Sequence, residues 1–584
     1  MKRIISLLLA SCLLFGAMLS LASCGAPEDD GAEIAVNLGG EVFDFDPTDY
    51  YADSNADQIM SLLYEPLFKV NSDGELSCAG ASDYSVDEKN RVITVTLRKS
   101  YWSDEIRVQA SDYIYAWRDV LLEPSNPNPA ATLLFDIENA VATKSGDSTY
   151  SFGAVSTGAF ELKITYREGA NYKQLLKNLA SVATSPLRQD VVSVAKTYWS
   201  KDVSTIVTNG PFSVKTFNYD VGEFTLARNL GYHQNPSVKD YDDKVIPAEL
   251  VSIIATDGEH TLSYDDIANK TVFFMGDASL EDRAANKDRA KTADDFSTYT
   301  YVFNTEKGIF ADKNVRRALS LAINRAEIAE AITFGKAATG FLPDVVAKSV
   351  YGKKPLERIS KDHESNLSVA KSLLSAANLT EAEKSFTLTV NDDEESLAIA
   401  EIAKAAWGEL GFNVTVEKVS AKATTIIDSN LDEEKTIEDS AIQALVKEAS
   451  YGNRDFDVIA LDWQMYSSDA IVALSAFTSH MNGNGKNLNT GEMRKNISGW
   501  TNADFDQYIN LAFYARTAEE RKAALKNAEQ ILIDESPVAP LIFNQSFAFV
   551  SRELKSVSID GFGNFVFTKT EQKNYHKYLP KEEE

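Results

Sequence analysis

The sequence predicts an α/β protein made of more than one folded unit, on three observations. At 584 residues the chain is too long for one ordinary core, so two or three units are expected. Residues 299–332 read as a strand of aromatic and β-branched residues, a turn at Gly308, and a helix. That helix carries Val315, Ala318, Leu319, Ala322 and Ile323 on one face. Residues 386–390, 396–410 and 412–416 then repeat strand, helix, strand, the pattern of parallel sheet with helices packed on it.

The composition is that of a soluble globular protein, 44% hydrophobic and 25% charged. A formal net charge of -28 argues against nucleic acid, whose phosphates require clustered Lys and Arg. It does not argue for a cationic ligand, because acidic surfaces mostly serve solubility. Three cysteines, at 12, 24 and 78, make no disulfide framework. The five histidines show no metal spacing, and phosphate-loop, nucleophile-elbow and dinucleotide fingerprints are absent. Neither a catalytic site nor a metal or cofactor is expected. An extracytoplasmic enzyme or chaperone remains only as a distant alternative.

In chain order, Lys2-Arg3 precede an apolar run over residues 4–22 that ends Leu21-Ala22-Ser23-Cys24. A basic start, an apolar core and small residues before the cut describe a secretory signal peptide over residues 1–23. The ending resembles the bacterial lipobox, which implies lipidation of Cys24, with residues 24–33 as a polar tether. Two acyl chains would anchor the protein to the outer face of the cytoplasmic membrane. The same apolar length would also suit an uncleaved span. Cys78 reads as a small buried residue.

Residues 35–38 alternate as a short strand, followed by Phe45-Asp46-Pro47. Residues 59–70 are a helix end running into an extended segment at Glu65-Pro66-Leu67-Phe68, an edge because Pro66 lacks a donor. Residues 91–97 alternate as a strand, and Trp102-Ser103-Asp104 follow. Ser111 is the expected N-cap of a helix with Ile114, Trp117, Val120 and Leu121 inward. Thr208-Asn209-Gly210-Pro211-Phe212 comes next, then a strand over residues 224–228 with Asn229 and Tyr232 after it. In the central stretch Asp312 is the expected cap of the first helix, and Asn324 with Glu327 the capping box of a second. Residues 369–379 read as helix, and residues 428–448 as an acidic, helical insertion. Residues 456–463 form a buried strand. Residues 482–491, rich in Gly and Asn, are expected to be a mobile loop. Asn502 opens a further helix, residues 521–533 another, and residues 581–584 are a solvated tail.

Taken in order, these segments resemble the solute-binding proteins, family 5, of bacterial ABC importers, whose oligopeptide- and dipeptide-binding lipoproteins carry the same run of motifs. The resemblance rests on Phe303-Asn304-Thr305 followed by Val315-Arg316-Arg317-Ala318-Leu319 and Arg325, on Thr208-Asn209-Gly210-Pro211, and on Glu529 with Pro537 and Pro540. It implies a two-lobed α/β fold like that of periplasmic binding proteins, with an extra inserted lobe and a hinged cleft. Lobe I would comprise residues 34–67, 205–304 and 545–584, the inserted lobe II residues 68–204, and lobe III residues 305–544. It implies a monomeric receptor that closes on a peptide and delivers it to an ABC permease driven by a separate ATPase. Ligand main-chain groups would pair with Glu65, Pro66, Leu67 and Phe68 on one side and with Leu461, Asp462, Trp463, Gln464, Met465 and Tyr466 on the other. Peptide-binding members often place an Asp for the ligand amine where this chain has Tyr466, so either Asp462 or Asp469 substitutes or the ligand has no free amine there. The alternative is a non-peptide ligand such as a nickel complex, haem, an opine or a sugar.

Overall fold

The computed structural model describes residues 31–39, 44–48, 56–195, 199–218, 222–233, 245–253, 262–352, 357–420, 424–427, 435–438 and 440–578. The leader, Cys24 and the tail at 581–584 lie outside the described residues.

The described chain begins with β1 (Glu33–Asn37), helix α1 (Ala56–Leu63) and a short antiparallel pair, β2 (Phe68–Val70) and β3 (Leu76–Cys78). A separate antiparallel sheet follows, ordered β4-β5-β7-β6, from β4 (Ala81–Asp87), β5 (Val92–Leu97), β6 (Ala154–Gly158) and β7 (Glu161–Thr165). Helix α2 (Ala110–Ile114) lies between β5 and β6, and α3 (Tyr172–Asn178) follows β7. The first turn of α2 departs from expectation. Gln109, not Ser111, is the cap, and the Asp112 carboxylate accepts from the Gln109 amide and from Trp102 Nε1. An acceptor three residues inside the helix thus does the capping from within.

The remaining strands enter one large sheet. They are β8 (Phe212–Asn218), β9 (Glu223–Arg228), β10 (Glu249–Ser252), β11 (Phe274–Met275) and the 14-residue β12 (Ala290–Phe303). After helices α4 (Lys313–Ala322) and α5 (Arg325–Ile332) come β13 (Gly335–Ala337), β14 (Ser385–Asn391), α6 (Glu394–Glu409) and β15 (Asn413–Val419). The expected helix at 428–448 forms over its second half, while residues 435–438 of the same segment are extended and residues 428–434 and 439 lie outside the described residues. β16 (Thr424–Ile427) and β17 (Lys435–Glu438) pair antiparallel, and only α7 (Ala441–Tyr451) is helical. Thr and Ile in both strands favour extended backbone over the helix that the acidic composition suggested. The chain then runs through β18 (Val458–Gln464), α8 (Ala470–Ser475), α9 (Ala503–Phe513), α10 (Ala518–Glu535) and β19 (Val538–Val550).

The large sheet is ordered β15-β14-β18-β12-β19-β11-β1-β10-β9-β8, with β13 added to β19. It is mixed: β1 runs parallel to β10 and β11, and β14 parallel to β15 and β18, while the rest pair antiparallel. The result is a two-lobed α/β protein with β12 and β19 crossing its middle. Among the described residues no helix is long and apolar enough to cross a membrane.

In the central stretch both expected caps form, but the expected capping box at α5 is half made, because the Glu327 carboxylate accepts from Asn324 Nδ2 and not from its backbone amide; the arginines here have a physical role. Asp312 caps α4 through the Asn314 amide, and Asn324 caps α5 through Glu327. Arg316 is buried, and its guanidinium donates to the carbonyls of Phe310, Glu535 and Ser536, covering the C-terminal carbonyls of α10. Arg325 is likewise buried and donates to the Pro540, Ser320 and Ile323 carbonyls. Burial lowers both pKa values, and the carbonyl oxygens compensate the desolvated charge.

Candidate functional site

The two extended segments singled out in the sequence differ in how much of their backbone is already used. Glu65 lies just beyond α1, where Asn209 grips it: the Glu65 amide donates to Asn209 Oδ1 (3.1 Å) and Asn209 Nδ2 donates to the Glu65 carbonyl (2.8 Å). A side-chain amide here does the work of a neighbouring strand. Gly210 allows the approach, since a Cβ there would lie 2.5 Å from the Leu63 carbonyl carbon. The Pro66 carbonyl accepts from the Gly80 amide, and the Leu67 carbonyl from the amides of Ala79 and Ala81. Phe68 is fully buried, sits opposite Cys78 and meets the Tyr84 ring edge-on. Glu65 to Phe68 thus form a wall in which the carbonyls of Glu65, Pro66 and Leu67 are engaged within the protein.

The Glu65 carboxylate is buried and accepts from Tyr232 Oη and bonds His233 Nε2, both at 2.5 Å. Burial works to raise its pKa, but His233, Tyr232 and Lys69 outweigh burial and hold it below the ordinary value. The Tyr232 and His233 rings stack at 3.8 Å. The Asn229-x-x-Tyr232 signal was visible in the sequence, but its carboxylate partner, more than 160 residues away, was not.

β18 offers the opposite situation. One edge pairs with β12 through Gln464↔Ser297 to Val458↔Phe303. The other edge meets β14 only at Val458 and Ile459, and no further described strand continues the ladder beside residues 460–464. The Leu461 carbonyl accepts from Thr300 Oγ1, and the Met465 amide donates to the Phe296 carbonyl. Trp463 is buried rather than open: its ring stacks on Phe477 at 4.6 Å and meets Phe341 edge-on. Phe341 is itself held by Glu529, whose carboxylate accepts from the Phe341 and Leu342 amides. Gln464 Oε1 accepts from the Met465 amide, and both residues are buried. Tyr466 takes φ 57°, which turns the chain sharply out of β18.

The two carboxylates considered for a ligand amine have different surroundings. Asp469 is buried, caps α8 through the Ile471 amide, and is bonded through both oxygens by Arg521 Nη2 at 2.8 and 2.7 Å. It is already neutralised. Asp462 accepts from Asn544 Nδ2 at 2.6 Å, and its charge acts on the nearby Asp295. Burial, with Asp57 and Asp462 nearby, pushes Asp295 up to about 7; burial and Asp57 do the same to Asp560. Asp295 lies in the bulged part of β12, between the paired positions Asp294 and Thr298. Among the described residues no group of His, Cys, Asp and Glu is arranged to hold a metal ion.

Helix α3 links the two segments. Lys177 Nζ donates to the Gly74 carbonyl in the β2–β3 turn, and Ser467 Oγ, just past β18, donates to Asn178 Oδ1 at 2.6 Å.

The family described as bacterial extracellular solute-binding proteins, family 5 Middle, matches residues 75–485. The periplasmic murein peptide-binding protein MppA of Escherichia coli K12 is 28% identical over 520 residues, covering 88% of each chain. The oligopeptide-binding protein OppA of Bacillus subtilis 168 is 24% identical over 575 residues, covering 95% of this chain and 97% of its own. The solved structure of the Escherichia coli murein tripeptide binding protein MppA superposes with a TM-score of 0.74 at 23% identity, over 93% of this chain and 99% of that one.

Proposed function

The chain belongs to the bacterial extracellular solute-binding proteins, family 5, whose members matched here are substrate-binding proteins and not enzymes; from that premise we propose that it captures oligopeptides by lobe closure and delivers them to an ABC permease. The observation that carries the reading is the second edge of β18. A β-strand with one edge paired and, among the described residues, no strand beside 460–464 on the other is a template for an added strand. An extended peptide supplies that strand. Main-chain pairing gives affinity without reading the ligand's sequence, while water-filled pockets accept its side chains.

Lobe I comprises residues 34–67, 205–304 and 545–584, lobe II residues 68–204, and lobe III residues 305–544. Glu65 to Phe68 then contribute a rigid wall and Leu461 to Tyr466 the pairing edge. Asp462 is the carboxylate for a ligand amine, since Asp469 is satisfied by Arg521. A cation there would offset the part of the Asp295 shift that Asp462 adds to burial and Asp57. The protein works as a monomer, anchored through lipidated Cys24 on the outer face of the cytoplasmic membrane.

The test is calorimetry with tripeptides and their backbone N-methylated analogues, after native mass spectrometry of the purified protein to identify retained ligand. Binding that tolerates side-chain changes but falls on N-methylation is expected. Binding indifferent to N-methylation overturns strand addition. Failure of every peptide, with a non-peptide retained, moves the ligand to the nickel-complex, haem, opine or sugar class.

A further inference from the structure

We propose that loop 482–486 is a closure latch: it docks backbone to backbone on residues 124–128 of lobe II and sets how tightly any ligand is held. The inference rests on the two-lobe reading above and adds to it the residues that hold the lobes together without ligand. The Asn128 amide donates to the Gly483 carbonyl at 3.0 Å, and the Lys486 amide donates to the Pro124 carbonyl at 2.7 Å. Arg494 Nη1 adds a bond to the Ser125 carbonyl at 2.8 Å.

Two glycines make this approach possible. Gly483 has φ 81° and Gly485 φ 65°. A Cβ on Gly483 would lie 2.4 Å from the Asn128 carbonyl oxygen, and one on Gly485 2.2 Å from the Pro124 carbonyl oxygen. The atoms approached are backbone of the other lobe, which has no rotamer by which to step aside.

Each half is fixed on its own side. Within lobe III, Asn482 Nδ2 donates to the Thr478 and Arg494 carbonyls, and Asn484 Nδ2 to the Lys495 carbonyl. On the receiving side, buried Lys144 ties the carbonyls of Leu121, Glu123 and Asn126 together, and Asn128 Nδ2 holds the Thr48 carbonyl. Two preformed surfaces dock at little cost in conformational entropy. A second contact reinforces them: the Arg167 guanidinium, bonded to Asp136 at 2.5 Å, lies 3.4 Å over the Phe513 ring. Closure therefore draws free energy from protein–protein contacts, and ligand adds only the difference between closed and open states.

The experiment uses the full chain without ligand. Gly485→Ala and Gly483→Ala are compared with Gly491→Ala, which has φ 75° and would meet only the Lys486 side chain, at 3.9 Å. All three incur the left-handed backbone penalty; only the first two clash across the lobes. Small-angle scattering is expected to show a larger radius of gyration for the first two, with Gly491→Ala like wild type. Hydrogen exchange supplies a reading without any variant: the Asn128 and Lys486 amides are protected in the wild type, and Gly485→Ala lowers that protection about tenfold or more. Wild-type exchange at both amides at free-peptide rates overturns the latch, as does an unchanged radius in both variants. Neither readout needs a ligand. Failure of peptides to bind leaves the latch standing, and peptide binding alongside unprotected amides refutes the latch alone.

Discussion

Asp469 and Asp462 lie seven residues apart, and substituting each should give opposite results. In Asp469→Asn the neutral side chain still caps α8, because Asn is as good an N-cap as Asp. The change therefore isolates the ion pair with Arg521. Breaking a buried pair costs about 3–5 kcal/mol. Arg521 retains 19% side-chain exposure and Asn keeps one acceptor, so the cost falls below that range, to about 2 kcal/mol, within the scale of a charged hydrogen bond. That is roughly a thirtyfold shift in the unfolding equilibrium. Asp462→Asn keeps an acceptor for Asn544 Nδ2 and removes a charge that acts against Asp295, so the unliganded protein should lose little stability. Affinity for a free-amine peptide should instead fall by about 2–5 kcal/mol, the cost of removing one partner of a buried charge pair.

The assays are urea unfolding of the unliganded proteins and calorimetry with a peptide and its N-acetylated form. Asp469→Asn should lower the urea midpoint and keep the preference for the free amine. Asp462→Asn should keep the midpoint and lose the preference. The reasoning fails if the two results are exchanged, with Asp469→Asn fully stable yet blind to acetylation. Arg521→Met with Asp469→Asn completes a double-mutant cycle whose coupling should approach the single-mutant cost.

Three further outcomes are expected. Asp295 and Asp560 titrate near 7 when folded and near 3.9 when unfolded, so between pH about 4 and 7 the folded state holds protons that the unfolded chain has released. Stability should fall as pH rises through that window, and Asp295→Asn should flatten the slope of urea midpoint against pH. Asn209→Ala should cost about 2–3 kcal/mol in urea unfolding by leaving both backbone groups of Glu65 unpaired; an unchanged midpoint would remove the clamp. Cys24→Ala should move the protein from the membrane fraction to the medium or to unprocessed precursor, and unchanged membrane retention would count against lipidation.

Much of the fold was legible because it is written locally. Asp312 and Asn324 cap the helices they were expected to cap, since a cap needs only a side-chain oxygen two or three residues before its amide. The strand–helix–strand pattern of β14, α6 and β15 is visible in its change of period. The candidate site is less legible because its electrostatics are assembled over long separations. Asp469 is bonded by a guanidinium 52 residues further on, and Asp57, Asp295, Asp462 and Asp560 act on one another from four distant segments. No window of sequence contains either relation, so Asp462 and Asp469 read alike until Arg521 and Asn544 are placed.

Residues 482–491 show a different failure, in which the signal was seen and given the wrong meaning. Gly and Asn in a run report that the backbone needs left-handed angles and local side-chain bonds. Mobility is one consequence of such a composition, and a fitted docking loop is another. Asn482 and Asn484 are 1% and 2% exposed, with amides spent on the flanking Thr478 and Lys495 carbonyls, so residues 482–485 are held in place, while residues 488–491 are exposed. What separates the two meanings is what each glycine faces. Gly491 faces a flexible lysine, whereas Gly483 and Gly485 face backbone more than 350 residues away in the chain. Composition states which angles a loop requires; only the surface packed against it decides whether those angles serve motion or contact.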